Sequence, residues 1–282
     1  MSMNPGTLYI VATPIGNLDD ISARACDVLR KAAVVAAEDT RRAGQLLTHL
    51  GLKNRLLSFH EHNETARIDA VLATLQSGGD VALISDAGTP LISDPGYRVV
   101  ERVRAEGLAV SPIPGCCAAI AALSVSGLPT DRFRFEGFLP SRTAARQKTL
   151  KTLVNAPETL IVYESVHRIA DVLADIETIF GADRPITLAR ELTKRYETIY
   201  SGTVAEVRVK LAADPGGNKG EFTLVIAASP VQQTVVEQEL ERVVGILLQS
   251  VSASQAAALA AEIMGVKKRE AYRVATELKA HD

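Results

Sequence analysis

Residues 81–96 read Val81-Ala82-Leu83-Ile84-Ser85-Asp86-Ala87-Gly88-Thr89-Pro90-Leu91-Ile92-Ser93-Asp94-Pro95-Gly96. Val81 to Ile84 is a short apolar run after the Gly78-Gly79 break, which predicts a buried strand. Ser85 to Pro90 can neither prolong that strand nor begin a helix, because Gly88 and Pro90 interrupt both. Asp94 followed by Pro95 predicts a helix start: a side-chain acceptor at the N-cap, then a proline whose φ is already set. The helix is expected to run through Tyr97, Val100 and Val103 toward Gly107. Strand, long polar loop and helix, with a carboxylate at the strand's carboxyl end, form one unit of an α/β sheet. Open α/β sheets bind ligands at that end. A tight structural crossover carries the same signature.

The flanking chain repeats the pattern. Leu8–Ala12 is a second apolar run, ending in Thr13-Pro14-Ile15-Gly16-Asn17, and Ile21–Lys31 reads as a helix. The Pro-Ile-Gly turn can bring backbone close to a ligand, but it is not a G-x-G-x-x-G fingerprint. Ala33–Ala37 predicts another strand, ending in Glu38-Asp39-Thr40-Arg41-Arg42. Asp39 or Thr40 can cap the next helix, yet two carboxylates and two guanidiniums are dense for a plain connection. His60 and His62 alternate about Glu61 with no third ligand, which reads as an exposed loop rather than a metal site.

Beyond the central stretch, Ala109-Val110 leads into Ser111-Pro112-Ile113-Pro114-Gly115, and Cys116–Ser124 is a small-residue helix. Leu128-Pro129-Thr130 reads as a hinge. A second α/β unit is then expected: strand Phe133–Phe138, helix Ala144–Val154, strand Thr159–Tyr163, helix His167–Phe180, strand Pro185–Ala189, helix Val204–Ala212 and strand Glu221–Ala228. The expected divisions are residues 1–128, 129–229 and 230–282, with a ligand cleft between the first two. The third part reads as helices Val235–Leu248, Ser252–Met264 and Lys268–Lys279. Lys267, Lys268, Arg269 and Arg273 surround the Gly265 turn, as in a helix-turn-helix RNA contact or a packing module.

With 282 residues, 47% hydrophobic and 23% charged, the chain has ordinary globular composition. A formal charge of −2 gives no global nucleic-acid signature, so RNA contacts would have to be local. Cys26, Cys116 and Cys117 lack metal spacing, which fits a reducing cytoplasm. Met1–Gly6 has no signal-peptide pattern, and the apolar runs are too short for a bilayer, so no membrane is expected.

The segments Leu8–Asn17, Ser85–Pro90 and Ile113–Ala118 together resemble the tetrapyrrole methylase superfamily. That resemblance implies two α/β domains with a donor cleft between them, plus here a small helical C-terminal domain, and S-adenosyl-L-methionine as methyl donor. The superfamily's G-D-P segment appears in altered form as Ser85-Asp86-Ala87-Gly88-Thr89-Pro90. The departures match a narrower family, the ribosomal RNA small subunit methyltransferases I, whose motifs stand here in order as TPIGNLDD, AEDTRR, SDAGTPLISDPG, YESVHRI, ARELTKRYE and KGEFTLVI. The resemblance implies 2′-O-methylation of a cytidine ribose in the decoding region of 16S rRNA, the small ribosomal subunit as partner, and a homodimer.

The same resemblance implies donor contacts at Pro14, Ile15, Asp86, Ala87, Gly88, Thr89, Ile92, Cys117, Ala118 and Tyr163. A ribose hydroxyl is a weak acid, so attack gains from a general base or from stabilisation of developing alkoxide. Glu38, Asp39, Glu191, Lys194 and Glu197 are candidates for that work. Asp86, Glu191 and Lys194 are taken as the catalytic set, with Lys194 touching substrate. An ion pair between Lys194 and Glu191 would need no catalytic role. For RNA, the candidates are Arg41, Arg42, Arg142, Arg146, His167, Arg168, Lys267, Lys268 and Arg269, with Arg142 and Arg146 in a cationic run that also holds Arg132, Arg134, Lys148 and Lys151. Two other readings stay open on residues alone: methylation of a small tetrapyrrole-like substrate, and non-catalytic ribosome binding.

Overall fold

The computed structural model describes residues 4–60, 64–217 and 219–280, so Glu61 and His62 of the histidine pair lie outside the described residues. The chain falls into two compact units, Met1–Thr149 with Thr159–Ala227, and Leu150–Glu158 with Ala228–Asp282.

The larger unit holds two sheets. Its first half runs β1 (Thr7–Val11), α1 (Ala23–Lys31), β2 (Val34–Ala37), α2 (Thr40–His49), β3 (Leu56–Ser58), α3 (Glu64–Gln76), β4 (Val81–Ile84), α4 (Tyr97–Ala105) and β5 (Ala109–Ile113). The strands lie in the order β3-β2-β4-β1-β5, all parallel. Every residue of β4 is buried, because alternate side chains enter opposite cores. Val81 and Leu83 pack with Val71, Leu75, Val99 and Val103 of α3 and α4. Ala82 and Ile84 pack with Ala25, Leu29, Ala43 and Leu47 of α1 and α2. Burying each such Val or Leu contributes about 1.5–3 kcal/mol. β1 and β4 are neighbours, yet their crossovers leave toward opposite edges of the sheet. A crevice therefore opens between their carboxyl ends, where α/β sheets bind ligands.

The second half runs α5 (Ala118–Val125), β6 (Phe133–Phe138), α6 (Thr143–Leu153), β7 (Thr159–Ser165), α7 (Ile169–Phe180), β8 (Pro185–Arg190), β9 (Thr198–Thr203), α8 (Val204–Ala213) and β10 (Glu221–Ile226). Its sheet has the order β6-β7-β10-β8-β9; only β6 and β7 pair in parallel. Ala119, Ala122 and Leu123 of α5 pack on Ile161, Ala189 and Val225 of this sheet.

The smaller unit contains α9 (Pro230–Leu248), α10 (Ala253–Met264) and α11 (Lys268–Ala280). Ser252 and Gln255 form a capping box on α10, and Gly265 ends it at φ 67°. Leu240, Val244, Ala257, Ala260, Ala271, Val274 and Ala275 form its core. Alanines at these positions let the helix axes approach closely.

Several local expectations are corrected. Asp94 does not cap α4, which begins at Tyr97 after Gly96 at φ 130°. Leu91 and Ser93 take left-handed φ values of 73° and 68°, which carries the Asp94 carboxyl to the Ser85 hydroxyl instead. Asp39, by contrast, does cap α2, accepting from the Arg41 N–H at 2.8 Å. β5 continues through Pro112, tolerated because β5 is an edge strand. α5 begins at Ala118 rather than Cys116, and α7 at Ile169 rather than His167. Among the described residues, no helix is long and apolar enough to cross a membrane.

Candidate active site

Two loops meet over the β1/β4 crevice. Thr13 and Gly88 form an antiparallel bridge across it, Thr13 N–H to Gly88 O at 2.9 Å and Gly88 N–H to Thr13 O at 3.1 Å. Gly88 sits at φ 84°, and a Cβ there would press on Ile15 at 3.3 Å, so this close approach of backbones requires glycine. Thr89 fastens the loop from the other side by donating to the Cys116 carbonyl at 2.9 Å.

Beside this bridge lies a cavity of about 360 Å³, walled by the first sheet's loops and the face of the second sheet. Ile15, Asp86, Ala87, Gly88, Thr89, Ile92, Cys117, Ala118 and Tyr163 all line it, as does Lys194. Pro14 lines an adjoining cavity, which Asp86 and Arg42 share with the first. Asp86 is held at both oxygens: Oδ1 accepts from the Asp39 N–H at 3.0 Å, and Oδ2 meets Arg42 Nη1 at 3.1 Å. The Tyr163 hydroxyl accepts from the Ala119 N–H at 3.0 Å, at the amino end of α5. Phe135 and Phe138 meet the Tyr163 ring edge-on at 4.9 and 5.7 Å, and burial pushes its phenol up.

Lys194 enters from the loop after β8. Its Nζ donates to Glu191 Oε1 at 2.7 Å and to Glu221 Oε2 at 3.0 Å. Burial opposes the charge on both partners, but those hydrogen bonds outweigh it, holding Glu191 low and Lys194 high. The Lys194 stem covers Gly16, where any side chain would collide with it. Asn17 N–H also donates to Thr193 Oγ1 at 3.2 Å, tying the Pro-Ile-Gly turn to this loop. Glu191 and Thr193, like Leu91 and Ser93, are non-glycine residues at positive φ. Such strain costs of order 1–3 kcal/mol each and gathers where function holds it in place.

The sequence reading missed several groups here. Asp94 lines the cavity, and burial, then the charges of Glu38 and Asp86, raise its pKa to about 6. Glu164 also lines it, 2% exposed and paired with Arg168 at 3.1 Å. Phe138 and Leu192 add apolar wall. The paired left-handed residues have no sequence signature, so Asp94 looked like an ordinary N-cap.

Other candidates fall elsewhere. Arg146 is corrected: it is 3% exposed, its Nε bonded to Asp175 Oδ2 at 2.6 Å, and so is closed to phosphate. Arg168 donates to the Leu139 and Pro140 carbonyls at 2.7 and 3.1 Å and braces that loop. Arg41 is exposed and spends its guanidinium on Asp39, whose carboxyl it holds well below the usual range. Glu197 accepts from the Thr193 N–H at 2.6 Å and so shapes the loop. Arg142, His167, Lys267, Lys268 and Arg269 are exposed. Among the described residues no His, Cys, Asp and Glu cluster could hold a metal.

The cavity suits S-adenosylmethionine. Its volume lies within the range that encloses ligands of that size, apolar Ile15, Ile92 and Leu192 suit the adenine, and the carboxylates of Asp86 and Asp94 complement a sulfonium and an ammonium. The comparisons agree with that chemistry. The model of tetrapyrrole (corrin/porphyrin) methylases matches residues 7–208, and that of the RsmI C-terminal HTH domain matches residues 234–279. The ribosomal RNA small subunit methyltransferase I of Pseudomonas aeruginosa is 50% identical over 98% of each chain. That of Escherichia coli O157:H7 is 48% identical over 96% of this chain and 95% of the relative. Among solved structures, a cobalt precorrin-4 methyltransferase of cobalamin biosynthesis shares the fold, with TM-score 0.57 and 18% identity over 78% of this chain and 94% of that one. The chain therefore belongs to the tetrapyrrole methylase family and, within it, to the ribosomal RNA small subunit methyltransferase I family.

Proposed function

We propose that the acceptor is the ribose 2′-hydroxyl of a cytidine in the decoding region of small-subunit rRNA. The chain is an S-adenosylmethionine-dependent rRNA methyltransferase, and the observation that carries the reading is the cavity at the β1/β4 crevice, with Asp86 and Lys194 in its wall. The donor supplies an electrophilic methyl on a positively charged sulfur. This chain's residues then have three tasks: binding, alignment and management of one proton. Ile15, Ala87 to Thr89, Ile92, Cys117, Ala118 and Tyr163 hold the donor, and Asp86 offers it negative charge. In-line displacement depends mainly on positioning, which the Thr13–Gly88 bridge and the Asn17–Thr193 hydrogen bond stiffen. Lys194, kept protonated by Glu191 and Glu221, stabilises negative charge developing on the attacking oxygen.

On this reading residues 1–128 and 129–229 build the methyl-transfer cleft, while residues 230–282 add an RNA contact. The protein works on the small subunit in the cytoplasm as a homodimer. Exposed Ile120 and Val125 on α5 and Phe133 on the edge strand β6 supply apolar surface for pairing. Exposed Lys268 and Arg269 at the start of α11 supply phosphate contacts. Replacing both with alanine is expected to weaken binding to small subunits and lower the slope of log affinity against log salt by about 2. An unchanged slope removes the tail from the RNA contact.

The direct test is transfer of labelled methyl from S-adenosylmethionine to small subunits isolated from cells lacking this protein, with the label mapped by nuclease digestion. Label on a cytidine ribose is the expected result. Label on a base, or none, overturns the acceptor assignment.

A further inference from the structure

A second cavity, of about 390 Å³, opens at the start of α4 between Glu38, Asp94, Tyr97 and Arg98. It shares Ser93 and Asp94 with the donor cavity, so one short wall separates the two spaces. Tyr97 is 68% exposed, more than any other aromatic side chain among the described residues. Only 4% of the chain is aromatic, and burial of so large an apolar ring is the norm. An open aromatic ring on a cavity beside a methyl-transfer site matches a stacking platform for an unpaired nucleobase. The Glu38 carboxyl, on the same cavity, offers acceptor oxygens; cytosine presents an N4 amino donor to such a group, where uracil presents a carbonyl.

We propose that this second cavity is the acceptor-nucleoside subsite, with the base stacked on Tyr97 and read by Glu38, and the ribose hydroxyl placed against Asp94 at the shared wall. The proposal rests on the ribose-methylation reading above. Asp94 is a catalytic residue on this account, since it takes the proton of the reacting hydroxyl. The oxygen's electron pair forms the new O–CH3 bond, the carbon–sulfur pair stays on sulfur, and the hydroxyl proton passes to Asp94 and then to water. Strained φ values at Leu91 and Ser93 aim this carboxyl toward the two cavities rather than at the α4 N–H groups. The charged and titratable neighbours acting on it are Glu38, Asp86 and the Tyr163 phenol. With its raised pKa near 6 it is mostly ionised at neutral pH and still basic enough to accept a proton.

Three variants test the subsite. Tyr97→Ala should lower kcat/KM for small subunits about 5- to 150-fold, the loss of one stacked base, chiefly through KM. Tyr97→Phe should restore it, and the donor Kd should stay at the wild-type value in both. Asp94→Asn should lower kcat about 10²- to 10⁴-fold with KM nearly unchanged, and should erase the acid limb of the pH–rate profile near pH 6. The chain has no tryptophan, so the Tyr97→Trp variant carries one fluorophore; a cytidine-containing decoding-region oligonucleotide should quench it and the uridine-substituted one much less. Wild-type kcat/KM in both Tyr97→Ala and Asp94→Asn, or emission indifferent to cytidine, overturns the subsite. Ribose label with wild-type enzyme alongside those results would leave the ribose-methylation reading intact. Base label or no label with wild-type enzyme, beside cytidine-selective quenching, would instead keep the subsite and sink the ribose reading.

Discussion

Asp86→Ala is expected to weaken donor binding and lower methyl transfer, together by about 10- to 150-fold, while the protein stays folded. Each hydrogen bond to a charged group is worth about 1.5–3 kcal/mol, and Asp86 makes two such contacts, to the Asp39 N–H and to Arg42. Its removal does three things at once. The Asp39 N–H loses its acceptor, Arg42 is released from the wall between two cavities, and the donor's positive sulfur loses a negative neighbour. Asp86→Asn keeps the acceptor for Asp39 but discards the charge, so it should fall between wild type and Asp86→Ala. Donor Kd by calorimetry, alongside kcat and a thermal melt, separates these effects. A wild-type donor Kd in Asp86→Ala would show that the central loop is scaffold.

The second large effect falls on stability. Arg146→Ala should cost about 3–5 kcal/mol, the usual loss when one member of a buried ion pair is removed. Arg146 Nε bonds Asp175 Oδ2 at 2.6 Å, and the two side chains are 3% and 10% exposed. Gln147 Nε2 holds the other oxygen at 2.7 Å. Without the guanidinium, Asp175 retains a buried charge with only an amide to face it. The double variant Arg146→Met/Asp175→Leu removes both charges at similar volume and should recover most of the loss. Denaturant unfolding reads both results. Wild-type stability in Arg146→Ala, joined to weaker RNA binding, would return this residue to the RNA surface.

Arg146 also shows where a reading of local sequence stops. Its position in a run with Arg142, Lys148 and Lys151 suggests a solvated cationic face. Yet it stands four and seven residues before Leu150 and Leu153, both buried, and so belongs to the apolar stripe of α6. That spacing was the available signal. β9 escaped for a different reason: TIYSGT is an edge strand of mixed burial, without the apolar run that marks β4 or β7. β3 is three half-buried residues long, too short for periodicity to register. The expected start of α4 failed because Asp-Pro is a helix signal only if the backbone before it has ordinary φ, and Leu91 and Ser93 do not.

What the sequence by itself determined is the set of buried strands, the polar loops at their carboxyl ends, and, through six ordered motifs, the family and its donor. These are local properties, because a strand buried on both faces must be apolar throughout and a loop at its end must be able to turn. The tertiary structure alone decided the strand order that opens the β1/β4 crevice, the closing of Arg146 onto Asp175, and the turning of Asp94 from helix cap to cavity wall. Each depends on what a residue meets from a distant part of the chain. A carboxylate or guanidinium looks the same in sequence whether its partner is water, a helix end or another charge.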